Sequence, residues 1–249
     1  MFLTVCSAPM THGLDPQCNL VLVGYPVAMV VYGMDTPQGA DLNLIIRRGQ
    51  GLKRQRQNAV VLINLPNGGC EDSPELALAT TPRVLDETEA DEVMQEGGSD
   101  MARHVVRLAD LDIVVLTRIG LLPQKVSSKS GFNITGRKTE ETEQLDIDAG
   151  AMCNAGVFGI VMRGIIGSVA ASITAKCPAP SIGIGASPAC NGQIIVTEDI
   201  LDLYHGITSK FVEKYANLQT YISAAAAAFH RAVVNQTFPL KQQLFWPKN

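Results

Sequence analysis

The sequence predicts a single (β/α)8 barrel (TIM barrel) of the α/β class, with residues 1–249 as one domain. Eight short apolar runs recur along the chain, and several of the segments between them carry helix signals. The runs are continuously apolar rather than alternating, which is typical of parallel strands buried on both faces. A chain of 249 residues with 46% hydrophobic residues is long enough for one such core. In this architecture the active site lies at the carboxyl ends of the strands.

The eight runs are assigned as strands because apolar residues, many of them β-branched, dominate each run. "VVLINL" and "IVVLT" are two examples. The predicted strands are residues 1–5, 20–23, 60–65, 92–95, 113–117, 159–162, 181–185 and 194–196.

The first two helix predictions differ in strength. Residues 73–91 lie between the third and fourth runs, but Pro82 interrupts their pattern, since a proline inside a helix removes one backbone hydrogen bond. Ser99 is predicted to cap a helix over residues 100–111. Asp100 would lie in its first turn, where the positive end of the helix dipole stabilises a carboxylate.

Three further helices complete the pattern. One is predicted from Thr139 to Cys153, because two glutamates follow Thr139 in the first turn. The segments 166–176 and 223–234 are predicted from their composition, and the second is rich in alanine. Strand and helix thus alternate about eight times, which indicates a barrel.

A doubly wound sheet is the competing architecture. Its dinucleotide fingerprint would be GxGxxG at the start of a helix. The best match, "GIGASP" at residues 183–188, has Pro188 where the third glycine belongs. The fingerprint therefore fails.

Composition limits the classes of partner. A net charge of −4, a pI near 5.6 and 5% aromatic residues give no electrostatic footprint for nucleic acid. The longest uncharged stretch, residues 19–34, is interrupted by Gly24 and Pro26 and is too short to span a bilayer. The first ten residues lack the basic start of a signal peptide. We expect a soluble cytoplasmic protein with no nucleic-acid or membrane partner.

The six cysteines are scattered and show no CxxC spacing, so they are predicted to be reduced thiols of a cytosolic protein. Cys70 and Cys190 follow strands, and without an evident histidine partner they are expected to be unreactive. The four histidines are also far apart, which does not favour a zinc site. Of these, His104 is expected at an exposed or edge position of its helix.

Several motifs together resemble those of the ketopantoate hydroxymethyltransferase family. They are "VLVGYPVAMVVYG", "VMQEGG", "IGLLPQ", "PSIGIGASPACNGQIIV", "KFVEKYANL" and a late "FP", in the family's order and approximate spacing. The resemblance covers nearly the whole chain. It differs at the start, because the family usually has a helical segment before the first strand, whereas this chain begins on that strand.

The resemblance implies a (β/α)8 barrel that assembles as a homo-oligomer, commonly a decamer of two stacked rings of five. It implies transfer of a hydroxymethyl group from 5,10-methylenetetrahydrofolate to 3-methyl-2-oxobutanoate, a 2-ketoacid, in pantothenate biosynthesis. In the family a Mg²⁺ chelated by the ketoacid stabilises the enolate, and a glutamate removes the C3 proton. The resemblance thus predicts magnesium and a folate co-substrate.

The family's metal-site positions are mostly substituted here. The family has Asp-Ser after the second strand, where this chain has Tyr25 and Pro26. It has Asp at the third strand, where this chain has Asn64. Glu96 matches the family's third metal-associated acid. Mg²⁺ often needs few protein carboxylates, so Glu96 with the side-chain carbonyl of Asn64 could still hold a metal weakly.

The substrate and base positions are also substituted. The family's lysine two residues before Glu96 is Met94, and the histidine of its Gly-His pair is Arg118. The family's catalytic glutamate aligns with Arg163. An arginine stays protonated and cannot accept a proton, so we expect very weak or no activity with the family's substrates.

Three other roles follow from the same residues. Arg118 and Arg163 could make the mouth an anion site, with Glu96 paired to one of them. The three could instead form a purely structural ion-pair cluster in a silent homologue. The chain could also be a structural subunit in a ring with an active paralogue.

Overall fold

The computed structural model describes residues 1–125, 133–204, 206 and 208–247. Eight parallel strands form a closed barrel in which each strand pairs with the next along the chain and the last pairs with the first. The predicted (β/α)8 barrel is confirmed. The strands are β1 (Phe2–Thr4), β2 (Leu20–Val23), β3 (Val60–Asn64), β4 (Glu92–Glu96), β5 (Val115–Gly120), β6 (Gly159–Arg163), β7 (Ser181–Ile184) and β8 (Gly192–Val196).

All eight predicted strands are present, with small shifts at their ends. The largest shift is at β5, which was predicted at 113–117 and covers Val115–Gly120. The strand continues because residues 118–120 pair with residues 161–163 of β6. This extension brings Arg118 into the barrel wall.

Nine helices accompany the strands in the described part of the chain. They are α1 (Ala8–Leu14), α2 (Pro26–Val30), α3 (Leu42–Gln55), α4 (Pro74–Thr88), α5 (Ala102–Ala109), α6 (Thr139–Ala155), α7 (Gly167–Lys176), α8 (Thr197–Ile200) and α9 (Leu218–Val234). The predicted helices at 166–176 and 223–234 are confirmed as α7 and α9. The helix predicted from Thr139 is confirmed as α6, although Lys138 occupies the cap position.

Helix α4 is continuous over Pro74–Thr88, although the proline in its sequence predicted an interruption. It passes through Pro82 without a break. Its start is well defined, because the hydroxyl of Ser73 accepts a hydrogen bond from the N–H of Leu76 at 3.1 Å. The cap and the packing of the inner face therefore outweigh the one hydrogen bond that proline removes.

Ser99 does not cap a helix, so that prediction is wrong. Ser99–Met101 form a 3-10 turn, and α5 begins at Ala102. The N–H and the hydroxyl of Ser99 donate to Asp148 Oδ1 of α6, at 2.9 and 2.8 Å. Ser99 therefore bonds to a carboxylate distant in sequence instead of to the backbone N–H groups of the helix that follows it.

His104 is buried, with 7% of its surface exposed, which contradicts the prediction of an exposed or edge residue. Leu108 lies one turn further along α5 and is also buried. Residues four apart share one face of a helix, so both side chains face the barrel. His205, another of the four histidines, lies outside the described residues.

The prediction of six reduced thiols is wrong for one pair. Cys153 near the end of α6 and Cys177 directly after α7 form a disulfide, because the neighbouring helices bring their Cα atoms to 6.7 Å. The other four cysteines are free and buried. Burial raises the pKa of the Cys70 thiol, which disfavours the reactive thiolate.

The interior of the barrel is filled by apolar side chains from alternate positions of the strands, which point inward. Leu22, Leu62, Met94, Leu116 and Val161 belong to this inner cluster. A second, larger cluster lies between the sheet and the outer helices. Since side chains alternate along a strand, the residue two positions after each inner-cluster member also points inward.

Helix α9 lies apart from this core. None of its 17 residues is buried, although Tyr221, Phe229 and Val234 are large and apolar. The strand that precedes it along the chain, β8, is followed by only a single helical turn, α8. On β8, Gln193 is exposed. No helix in the described part of the chain has both the length and the apolar character to cross a membrane.

Candidate active site

Four predicted site residues meet at the carboxyl ends of the strands. Glu96 ends β4, Arg118 lies in β5 and Arg163 ends β6, each two positions after an inner-cluster residue. Tyr25 follows β2 as the cap residue of α2. The phenol oxygen of Tyr25 accepts hydrogen bonds from Nη1 of Arg118, at 3.0 Å, and from Nη1 of Arg163.

Arg118 and Glu96 form a buried ion pair. Arg118 Nη1 lies 2.6 Å from Glu96 Oε1, and the two side chains are 4% and 2% exposed. Burial acts to lower the pKa of the Arg118 guanidinium, but Tyr25 and Glu96 outweigh it and the pKa is raised. Burial also raises the pKa of the Tyr25 phenol, although both arginines oppose this. The cluster therefore holds two cations, one carboxylate and one neutral phenol.

Gln124 supports this pair from the loop after β5. Its backbone N–H donates to Glu96 Oε2 at 3.3 Å. Its side-chain amide donates to the carbonyl of Leu65 at 3.1 Å and accepts from the N–H of Asn67 at 2.6 Å. Gln124 thus bonds to the loop after β3 through its side-chain amide and to the carboxylate at the end of β4 through its backbone N–H. Sequence reasoning used this glutamine only as part of the "IGLLPQ" motif.

Asn64 and Met94 do not join the hydrogen-bonded cluster. Asn64 donates from Nδ2 to the carbonyl of Leu65 at 3.2 Å, and its buried Oδ1 has no partner in the described part of the chain. Met94 is fully buried among the apolar residues of the barrel interior. Asn64 lies beside Gly24, at the same end of the barrel as the cluster.

Arg163 differs from Arg118 because it forms no direct ion pair in the described part of the chain, although the Asp199 carboxyl is near enough to interact with its charge. Within the described ranges, no carboxylate lies within 4.0 Å of its guanidinium, and its buried Nε has no hydrogen-bond partner. The side chain is half-buried and lines a cavity of about 460 Å³ at the mouth of the barrel. Tyr25, Pro26, Asp199 and Lys210 line the same cavity.

Asp199 was missed by the sequence reasoning, and Lys210 entered it only as the first residue of the "KFVEKYANL" motif. Asp199 belongs to α8, directly after β8, so its position at the carboxyl end of a strand was the available signal. Burial raises the pKa of the Asp199 carboxyl, and the nearby Arg163 and Lys214 offset this only in part. Lys210 lies in an irregular segment with no such signal.

The residues present do not fit Mg²⁺. This ion prefers about six oxygen ligands in octahedral geometry, usually with one or two carboxylates. Both oxygens of Glu96 already accept hydrogen bonds, one of them from a guanidinium. Within the described residues, no group of three His, Cys, Asp or Glu side chains could hold a metal. The cation that neutralises Glu96 is supplied by Arg118.

Comparison with known proteins agrees with the fold and assigns a family. A family model described as ketopantoate hydroxymethyltransferase matches residues 1–241. The 3-methyl-2-oxobutanoate hydroxymethyltransferase of Rhizobium rhizogenes is 39% identical over 246 residues, which cover 99% of this chain and 90% of that protein. The protein of the same name from Agrobacterium fabrum is 39% identical over 243 residues, covering 98% and 87%.

Among solved structures, the chain is similar to 2,3-dimethylmalate lyase, described as a PEP mutase/isocitrate lyase superfamily member. The TM-score is 0.61 at 14% identity, covering 98% of this chain and 86% of that one. This likeness concerns the fold alone. From the family model and the relatives, the chain belongs to the ketopantoate hydroxymethyltransferase family.

Proposed function

We propose that this barrel binds a 2-ketoacid or a related small anion at its mouth and has very weak or no hydroxymethyltransferase activity. The observation that carries the proposal is the position of Arg163 at the end of β6 and on the wall of the cavity, as a cation that forms no direct ion pair with the described residues. The relatives named 3-methyl-2-oxobutanoate hydroxymethyltransferase support 3-methyl-2-oxobutanoate as the ligand to test. The family resemblance implies 5,10-methylenetetrahydrofolate as its co-substrate.

The expected loss of activity follows from the chemistry of proton removal. Enolisation of the ketoacid needs a group near C3 that can accept a proton. A guanidinium cannot do so, and the raised pKa of Tyr25 keeps the phenol protonated. Loss of a general base costs about 10²–10⁴ in rate. The family's Mg²⁺ would add stabilisation of the enolate, but the Arg118–Glu96 pair stands against its binding.

Deuterium exchange at C3 of 3-methyl-2-oxobutanoate tests this proposal, because it reports enolisation without folate. We expect exchange at least about 100-fold slower than with the Rhizobium rhizogenes relative measured alongside. A comparable rate would show that another group removes the proton and would overturn the proposal.

We also propose that the chain forms a homo-oligomer, the decamer of the family, and that it is located in the cytoplasm. The apolar side chains of α9 and of the segment after it, including Phe245 and Trp246, are exposed and would be covered by another subunit. The four free cysteines support a reducing compartment, whereas the Cys153–Cys177 disulfide is evidence against one. Light scattering at micromolar concentration tests the assembly, and a monomer would refute it.

A structural role beside an active paralogue is the second candidate. The buried Arg118–Glu96 pair favours it, because it fills the position where the family's chemistry needs an accessible acid. Co-expression with a paralogue, followed by mass measurement of the intact assembly, tests this role. Rings that contain only this chain would exclude it.

A further inference from the structure

Two cations and one acid line the mouth cavity, namely Arg163, Lys210 and Asp199. Arg118 is neutralised by Glu96 at 2.6 Å, so its charge is not available to a ligand. Arg163 has only the neutral phenol of Tyr25 as a hydrogen-bond partner among the described residues. The two cations outnumber the single carboxyl, so an anion that accepts hydrogen bonds from the remaining N–H groups of Arg163 would stabilise this half-buried guanidinium.

Much of the cavity wall is apolar, although Thr208, Ser209 and Lys210 add polar groups to it. Met29 and Val30 of α2, Leu121 after β5 and Ile134 line the cavity and are only partly buried. Phe211 lines it as well and is 37% exposed. Apolar side chains that stay partly in contact with water gain free energy when an apolar ligand covers them.

The size of the cavity exceeds that of the family's ketoacid. With about 30 Å³ for each small group, the share of one water molecule, a space of 460 Å³ holds roughly 15 non-hydrogen atoms. A short branched ketoacid fills about half of this. A ligand with one anionic end and a longer hydrocarbon body matches both the charge and the wall.

We propose that the cavity binds aliphatic monocarboxylates of medium chain length, without a metal, with the carboxylate on Arg163 and the chain against Met29, Leu121 and Phe211. This inference rests on the proposed anion site at the mouth and names a different class of ligand for it. Binding needs no bond to form or break, and the Arg118–Glu96 pair remains intact.

Isothermal titration calorimetry of the full chain in EDTA tests the proposal with butanoate, hexanoate, octanoate and decanoate. We expect affinity to rise about tenfold for each two added methylene groups up to the size of the cavity. Octylamine should not bind, because it places a cation beside Arg163. Replacing EDTA with Mg²⁺ should change the affinity for octanoate less than about twofold. Equal affinity for all four acids would overturn the proposal.

Two sets of variants locate the ligand. Arg163→Met should weaken octanoate binding at least about tenfold, Arg163→Lys should weaken it less, and Arg107→Met, an exposed arginine on α5, should have no effect. Phe211→Ala should weaken octanoate binding but not butanoate binding. Octanoate binding that survives Arg163→Met in a protein with an unchanged circular dichroism spectrum would overturn the assignment.

The same samples separate this inference from the proposed function. Brisk deuterium exchange of the ketoacid together with chain-length-dependent carboxylate binding would refute the weak-activity proposal and leave this inference standing. Slow exchange without binding of the longer acids would refute this inference alone.

Discussion

Replacement of Glu96 by glutamine should destabilise the protein strongly, because it removes the charge that neutralises Arg118. The pair has an N–O distance of 2.6 Å and side chains that are 4% and 2% exposed. Without the carboxylate, the guanidinium stays buried with the neutral Tyr25 as its remaining partner. Breaking a buried pair from one side costs about 3–5 kcal/mol, which for a chain of this size lowers the unfolding midpoint by on the order of 10 °C.

Arg83 and Glu87 on α4 provide a matched control. Their N–O distance is also 2.6 Å, but their side chains are 48% and 42% exposed. Glu87→Gln should therefore cost at most about 0.5 kcal/mol. Urea unfolding followed by circular dichroism compares both variants with the unaltered chain.

A double variant tests the reason for the loss. Glu96→Leu with Arg118→Met removes both charges and should cost less than Glu96→Gln alone, since no unpaired ion remains. The reasoning would be refuted if Glu96→Gln and Glu87→Gln had equal costs, or if the double variant were the least stable of the three.

Two further predictions concern the cavity and the chemistry. Octanesulfonate, whose charge does not change with pH, should bind more tightly as pH falls from neutrality. The reason is that the raised pKa of Asp199 lets this carboxyl lose its negative charge beside Arg163. Calorimetry should show that Asp199→Asn abolishes the trend, and a trend that persists in this variant would assign it to another group. Arg163→Glu alone should remain inactive in a hydroxymethyl-transfer assay. A combined variant should regain Mg²⁺-dependent transfer if it folds, because base and metal act on the same transition state. This variant carries Tyr25→Asp, Pro26→Ser, Asn64→Asp, Met94→Lys, Arg118→His and Arg163→Glu. Equal activity in the single variant would contradict this prediction.

The strand pattern could be predicted from the sequence because it is local. Apolar runs identify the strands, and the two-residue period then places Glu96, Arg118 and Arg163 on the inner face. Their pairing could not be predicted to the atom, because the choice of Arg118 over Arg163 as partner of Glu96 depends on the neighbouring register of β4 and β5. The family resemblance identified the positions but not this choice.

Errors arose where contacts distant in sequence decide the outcome. Ser99 has the composition of a cap but bonds to Asp148, which is 49 residues away. Cys153 and Cys177 lack a motif and meet because α6 and α7 are neighbours. His104 is a polar residue at a core position of α5. Asp199 was missed because the single helical turn after β8 is too short to show a periodic pattern of apolar residues.

The side chain of Gln124 has a consequence for how a ligand enters and leaves. Its two amide hydrogen bonds, together with its backbone bond to Glu96, join the loops after β3 and β5 into one unit. Parting these loops would break the two side-chain hydrogen bonds, and displacing Gln124 would also break its backbone bond to Glu96 of the buried ion pair. We therefore expect a ligand to pass over another part of the rim, where residues 208–211, which follow α8, line the cavity.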